Sequence, residues 1–71
     1  MSDRVTWTAF INGLRTLQEQ LREYLAPFEA GSASVGRGGR DYTADEIATV
    51  RREIASLQKT IDRVIAEKGL A

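Results

Sequence analysis

The stretch SVGRGGRDYTADEI, residues 34–47, lies between two long runs with helical periodicity and decides how they are joined. It ends in Thr43-Ala44-Asp45-Glu46, which has the spacing of a capping box. In that reading the Thr43 hydroxyl accepts from the Glu46 amide, the Glu46 carboxylate reaches back to the Thr43 amide, and a helix starts here. Three structures are open to the residues before it. Residues 30–42 have the Gly/Ser content of a flexible linker. Alternatively, backbone amides of the glycine run, with Arg37 and Arg40, make a phosphate cradle. Against the cradle, no Gly-Lys-Ser/Thr opens the next helix, as the Walker pattern requires. In the third structure, Ser32–Val35 and Arg40–Thr43 are short strands of a β-hairpin. Ala33 and Val35 alternate with serines, Tyr42 is a strand former, and Gly36, Gly38 and Gly39 supply the positive φ of a tight turn. If that hairpin lies on the helices, Tyr42 is a core residue, and Tyr42→Ala costs on the order of 2–4 kcal/mol.

On the N-terminal side, Trp7, Phe10, Leu14, Leu17, Leu21, Tyr24 and Phe28 recur at alternating steps of three and four. This is an a/d stripe along one helix face, widened by Ile11 and Leu25, and it predicts a helix over about 6–29. Pro27 kinks or ends it, and Gly31 is the stop. Residues 5–13, VTWTAFING, also have strand-like content, but the stripe passes through Trp7 and Phe10 without a phase break. Gly13 weakens the helix by about 1 kcal/mol relative to alanine. It marks either a close helix approach or a tolerated site. On the C-terminal side, Ile47, Val50, Ile54, Leu57, Ile61 and Val64 form the matching stripe and predict a helix over 44–68, stopped at Gly69. Arg15–Glu19 and Arg63–Glu67 have the spacing of surface ion pairs.

The fold expected is therefore α+β and mostly α, a single domain over residues 1–71. Two long antiparallel helices are joined through a short β-hairpin, the alternative being a plain helical hairpin with a Gly-rich linker. Two helices cannot cover both stripes, so apolar surface is left for a third element or another subunit.

The chain has 71 residues, ten basic and ten acidic, with no Cys and no His. That rules out disulfides and thiolate metal sites and removes the usual general base, so no cofactor, metal or catalytic residue is assigned and a non-enzyme is expected. Zero net charge argues against non-specific nucleic-acid binding. No apolar run reaches the roughly 18 residues of a membrane span. The opening MSDRVTW lacks the order of a signal peptide, so a protein made in the cytoplasm is expected.

The order helix, Gly-Gly-Arg turn and capped helix resembles the small head-completion or head-to-tail connector proteins of tailed phages, the gpW family. Gly39, Arg40, Tyr42 and Thr43, followed by the Ile47/Val50/Ile54/Leu57 stripe, carry the likeness. The resemblance implies an α-β-β-α fold and a structural role in the virion, or a prophage, assembled in the host bacterial cytoplasm. Copies form a homo-oligomeric ring on the portal and receive the next connector or tail protein, with incidental DNA contact. The chain departs from the family in a shorter hairpin, longer helices and no basic tail after Gly69-Leu70-Ala71, and no site residue is carried over. The residues themselves offer candidates. Trp7 reads as core or as an interface anchor. Arg37 and Arg40, at the turn, meet a partner or serve solubility. Arg51 and Arg52 form a solvated face or meet acids of a neighbouring subunit. Two further readings stand beside the connector: a helical-hairpin adaptor of coiled-coil type, and a nucleic-acid binder acting through the arginine loop.

Overall fold

The computed structural model describes residues 3–70. Helix α1 spans Asp3–Glu29, strand β1 Gly36–Arg37, strand β2 Arg40–Asp41, and helix α2 Thr43–Lys68. The helices run antiparallel as a rod of 55 × 18 × 16 Å, with the hairpin at one pole. The α-β-β-α order expected from the sequence is the observed one.

Helix α1 begins three residues earlier than the periodicity indicated and runs through Pro27. Pro27 has no amide to give the Glu23 carbonyl and its ring crowds that carbonyl, so the helix ends two residues later, at Glu29. The Pro27 carbonyl closes the helix, accepting from the amides of Ser32 and Ala33 at 2.9 and 3.1 Å. Gly31 follows with φ +82°. Helix α2 ends as expected at Gly69, in the left-handed conformation. There the Leu70 amide donates to the Ile65 carbonyl, and Leu70 packs back onto the core.

The capping box does not form. The Thr43 hydroxyl accepts from the Val35 amide at 2.9 Å and donates to the Asp41 carboxylate at 2.6 Å. The Glu46 carboxylate accepts from the Tyr24 hydroxyl of α1. Asp41 caps instead, its carboxylate accepting from the Thr43 amide two residues on. A carboxylate already placed at the helix start by the hairpin leaves Thr43 free to tie down Val35.

The seam between the helices is turned from the expected stripe. Ile11, Gln18 and Leu25 are buried, seven residues apart, with Trp7, Leu14, Leu21 and Phe28 partly covered beside them. Phe10, Leu17 and Tyr24, expected at d positions, face outward. One helix covers only about a 100° arc of its neighbour, and the apolar arc of α1 is wider than that. The residues that appeared to widen the stripe are its centre, and the d row lies outside. On α2 the expected row faces inward, with Val50, Ile61 and Val64 buried. The main cluster, Ile11, Ile61 and Val64 with Trp7, Leu14, Ile65 and Leu70, sits at the pole opposite the hairpin.

The sequence also missed Gln18. It is 3 % exposed, and its amide donates to the Ile54 carbonyl and the Gln58 side-chain oxygen, both at 3.1 Å. No side-chain polar atom among the described residues is buried without a partner.

Candidate functional site

At the hairpin pole, Gly38 and Gly39 have φ of +60° and +82°, the double positive φ of a type I′ turn. A Cβ at either glycine meets no atom within 4 Å, so backbone conformation rather than space requires glycine there. Both paired strands are shorter than expected; the first lies later in the chain, and the second starts at Arg40 as expected. Gly36 pairs with Asp41 and Arg37 with Arg40, and Ser32–Ala33 belong to the close of α1. The Tyr42 amide extends the ladder by donating to the Val35 carbonyl at 2.8 Å.

This register puts two guanidinium-bearing residues directly opposite each other at the tip, an arrangement disfavoured by charge alone. Both are exposed. The Arg40 guanidinium lies over the Tyr42 ring at 5.1 Å. Tyr42 is half-buried, not core, because the hairpin stands off the end of the rod. The loss on removing its ring is correspondingly that of a partly covered side chain. A pair of planar five-donor forks presented this way fits carboxylate or phosphate oxygens.

Hydrogen bonds from the Thr43 hydroxyl and amide hold the Asp41 carboxyl below its ordinary value. A depressed folded pKa means that this contribution to stability is present above the unfolded value of about 3.9 and is lost as pH falls through the folded value. Asp41→Asn is therefore expected to lower stability at neutrality and to flatten the acid limb of an unfolding-versus-pH curve, with variant and wild type converging below about pH 4. An unchanged acid limb in circular-dichroism titrations would refute the cap. The Tyr24 hydroxyl is pushed above its ordinary value, first by its hydrogen bond to the Glu46 carboxylate. That link is kept below about pH 10 and lost above it.

The remaining candidates lie elsewhere. Trp7 is at the terminal pole, half-buried, with Phe10 edge-on at 5.7 Å and the Lys68 ammonium 4.7 Å from its ring centre. It finishes the core there. Arg51 pairs within its own chain, with Glu29 at 2.6 Å, and Arg52 donates to Thr49 at 3.3 Å. Among the described residues Arg15–Glu19 and Arg63–Glu67 are not ion-paired. The fold thus joins Arg37 and Arg40 and leaves Trp7, Arg51 and Arg52 separate from them.

The outward row of α1 is the second surface feature. Phe10, Leu17 and Tyr24 are 46, 41 and 44 % exposed. A shallow groove beside them is lined by Leu17, Leu21 and Leu57, with Glu53 and Ser56 on its far wall. The sequence showed this row as part of the apolar stripe, and the breadth of the arc, with Ile11 and Leu25 beside it, was the sign that one row would be left outside. Among the described residues no group of His, Cys, Asp and Glu side chains is placed to hold a metal, and no helix is long and apolar enough to cross a membrane.

Comparison of the chain with protein-family models, with curated proteins and with solved structures finds no match in any of the three.

Proposed function

We propose that this chain is a binding subunit of a larger assembly, a phage or prophage head-to-tail connector that forms a ring on the portal and presents a surface to the next connector or tail component. The observation that carries this reading is the ordered Gly-Gly hairpin standing at one pole of a long helix pair. It is the layout that the resemblance to the gpW family implies. The role is contact alone. The Arg37/Arg40 tip meets acidic groups of the portal or neighbour, and the rod packs against adjacent copies. A portal ring encoded in the same locus, mixed with the purified chain and sedimented, is expected to carry it down in a fixed ratio. Arg37→Glu with Arg40→Glu is expected to abolish the co-sedimentation. A locus with no portal, capsid or tail gene, or a portal ring that leaves the chain in the supernatant, would sink the reading.

The outward Phe10/Leu17/Tyr24 row favours a second reading, a helical-hairpin adaptor of coiled-coil type. Amide exchange separates the two. Protection at Tyr42, whose amide closes the hairpin, supports the connector layout, whereas fast exchange throughout 32–43 supports the adaptor.

A further inference from the structure

The flank of the rod that carries Phe10, Leu17 and Tyr24 is shared between the helices, and each contributes one row to it. The α1 row is apolar: Phe10, Leu17 and Tyr24, seven residues apart and 46, 41 and 44 % exposed. The α2 row is Glu46, Glu53, Thr60 and Glu67, also seven apart. Two contacts set the rows side by side. The Tyr24 hydroxyl donates to the Glu46 carboxylate, and Leu17 and Leu21 share a groove with Glu53, Ser56 and Leu57.

The basic side chains of the rod lie elsewhere. At about 100° per residue, Arg4, Arg15 and Arg22 fall roughly 140° or more round α1 from the apolar row. Arg22 lines the opposite flank with Arg51, which is paired to Glu29. Arg52, Lys59 and Arg63 sit roughly 70–110° further round α2 from the acidic row. Arg52 donates to Thr49 there. Lys68, at the terminal pole, lies over the Trp7 ring. Glu53 and Glu67 are exposed, and among the described residues neither has a basic partner. The flank therefore presents apolar side chains edged by unpaired carboxylates.

We infer that this flank is the docking site for a basic amphipathic helix of another protein, which lies along the rod as a third helix. The apolar seam of that helix packs on Leu17, Leu21 and Leu57, and Lys or Arg residues beside its seam meet Glu53 and Glu67. Partner choice in coiled coils is fixed in the same way: apolar a and d positions adhere, and the charged row alongside selects. From Phe10 to Tyr24 the flank is about 21 Å long, room for about four turns of an added helix. A second copy docking by this face would bring the same glutamates rather than cations to answer them, and an acidic helix is disfavoured for the same reason. The inference rests on neither functional reading above. Portal sedimentation and amide exchange at Tyr42 both probe the hairpin, so either can fail with this flank unaffected.

Two synthetic peptides of about four heptads test it, identical at leucine a and d positions and carrying either Lys or Glu at e and g. Like charges at e and g keep each peptide from pairing with itself. Each is titrated into the isotope-labelled intact chain and followed by amide chemical shifts. The Lys peptide is expected to bind, with shifts centred on Leu17, Tyr24, Glu53 and Leu57, and the Glu peptide to bind at least about tenfold more weakly. Glu53→Lys with Glu67→Lys, both at exposed sites, should keep the helical circular dichroism while inverting that preference. Equal binding of the two peptides overturns the inference, as does a preference that the double variant leaves unchanged. Shifts centred on the Arg22/Arg51 flank, or none with the Lys peptide at about 1 mM, do the same. A chain that dimerises by itself, and that Leu17→Ser returns to monomer in sedimentation velocity, overturns it in favour of a second copy.

Discussion

Ile61→Ala is expected to remove about 3–4 kcal/mol of folding stability, measured by urea denaturation monitored at the helical signal. Ile61 has no exposed surface and belongs to the cluster that includes Ile11 and Val64. Its loss leaves a void on a rod 16–18 Å thick, with little second layer to collapse into it. A chain of 71 residues commands roughly 4–10 kcal/mol in total, so the variant loses between about a third and nearly all of it. The contrasting control is Leu17→Ala. Leu17 is a stripe residue of the same type, yet it is 41 % exposed, and its truncation is expected to cost about 1 kcal/mol or less. Equal losses at the two positions would mean that the a/d stripe, not the turned seam, faces α2.

The second large effect lies at Gln18. Truncation to alanine removes a buried side chain and two hydrogen bonds and should cost about 2 kcal/mol. Replacement by leucine should be neutral or stabilising by up to about 1 kcal/mol. Gln58, the side-chain partner, is exposed and already donates to Asp62 at 2.9 Å, so it can turn to water when Gln18 is gone. The Ile54 carbonyl keeps its place in the helix ladder. Filling the seam with apolar volume then outweighs a polar link that was made at the expense of hydration. If Gln18→Leu proves as damaging as Gln18→Ala in the same denaturation series, the hydrogen bonds and not the volume are what Gln18 supplies.

These two positions show which parts of the structure can be read from residue order. The α2 row from Ile47 to Val64 is spaced to fill one narrow face, so its orientation was legible, as was the αL stop at Gly69. The Gly38-Gly39 turn was legible because positive φ at two successive residues leaves few other choices. The seam of α1 was not, because its apolar arc is broader than one partner helix covers, and a stripe pattern cannot say which half is used. Gln18 was hidden for a related reason, since polar residues are placed outward by default and only the partner's Ile54 and Gln58 make an inward one tolerable. The helix start was misread because capping by Thr43 and Glu46 depends on neither having a better partner. Val35, Asp41 and Tyr24 are such partners, and they arrive only with the tertiary fold. The arginine tip was legible as a turn, while the register that sets Arg37 against Arg40 followed from a two-residue loop.

The position of the main cluster has a kinetic meaning. Contacts between the helices span wider loops with distance from the hairpin: Tyr24 reaches Glu46 across 22 residues, Gln18 reaches Gln58 across 40, and Arg4 reaches Gly69 across 65. The rod is in effect a zipper with one closed end, and the entropy of loop closure rises toward the open end. Ile11, Ile61, Val64 and Trp7 put the densest burial where that entropy is greatest and where two helix ends would otherwise fray. The clasp is at the mouth, so the rod should open from the hairpin outward only after its mouth has given way.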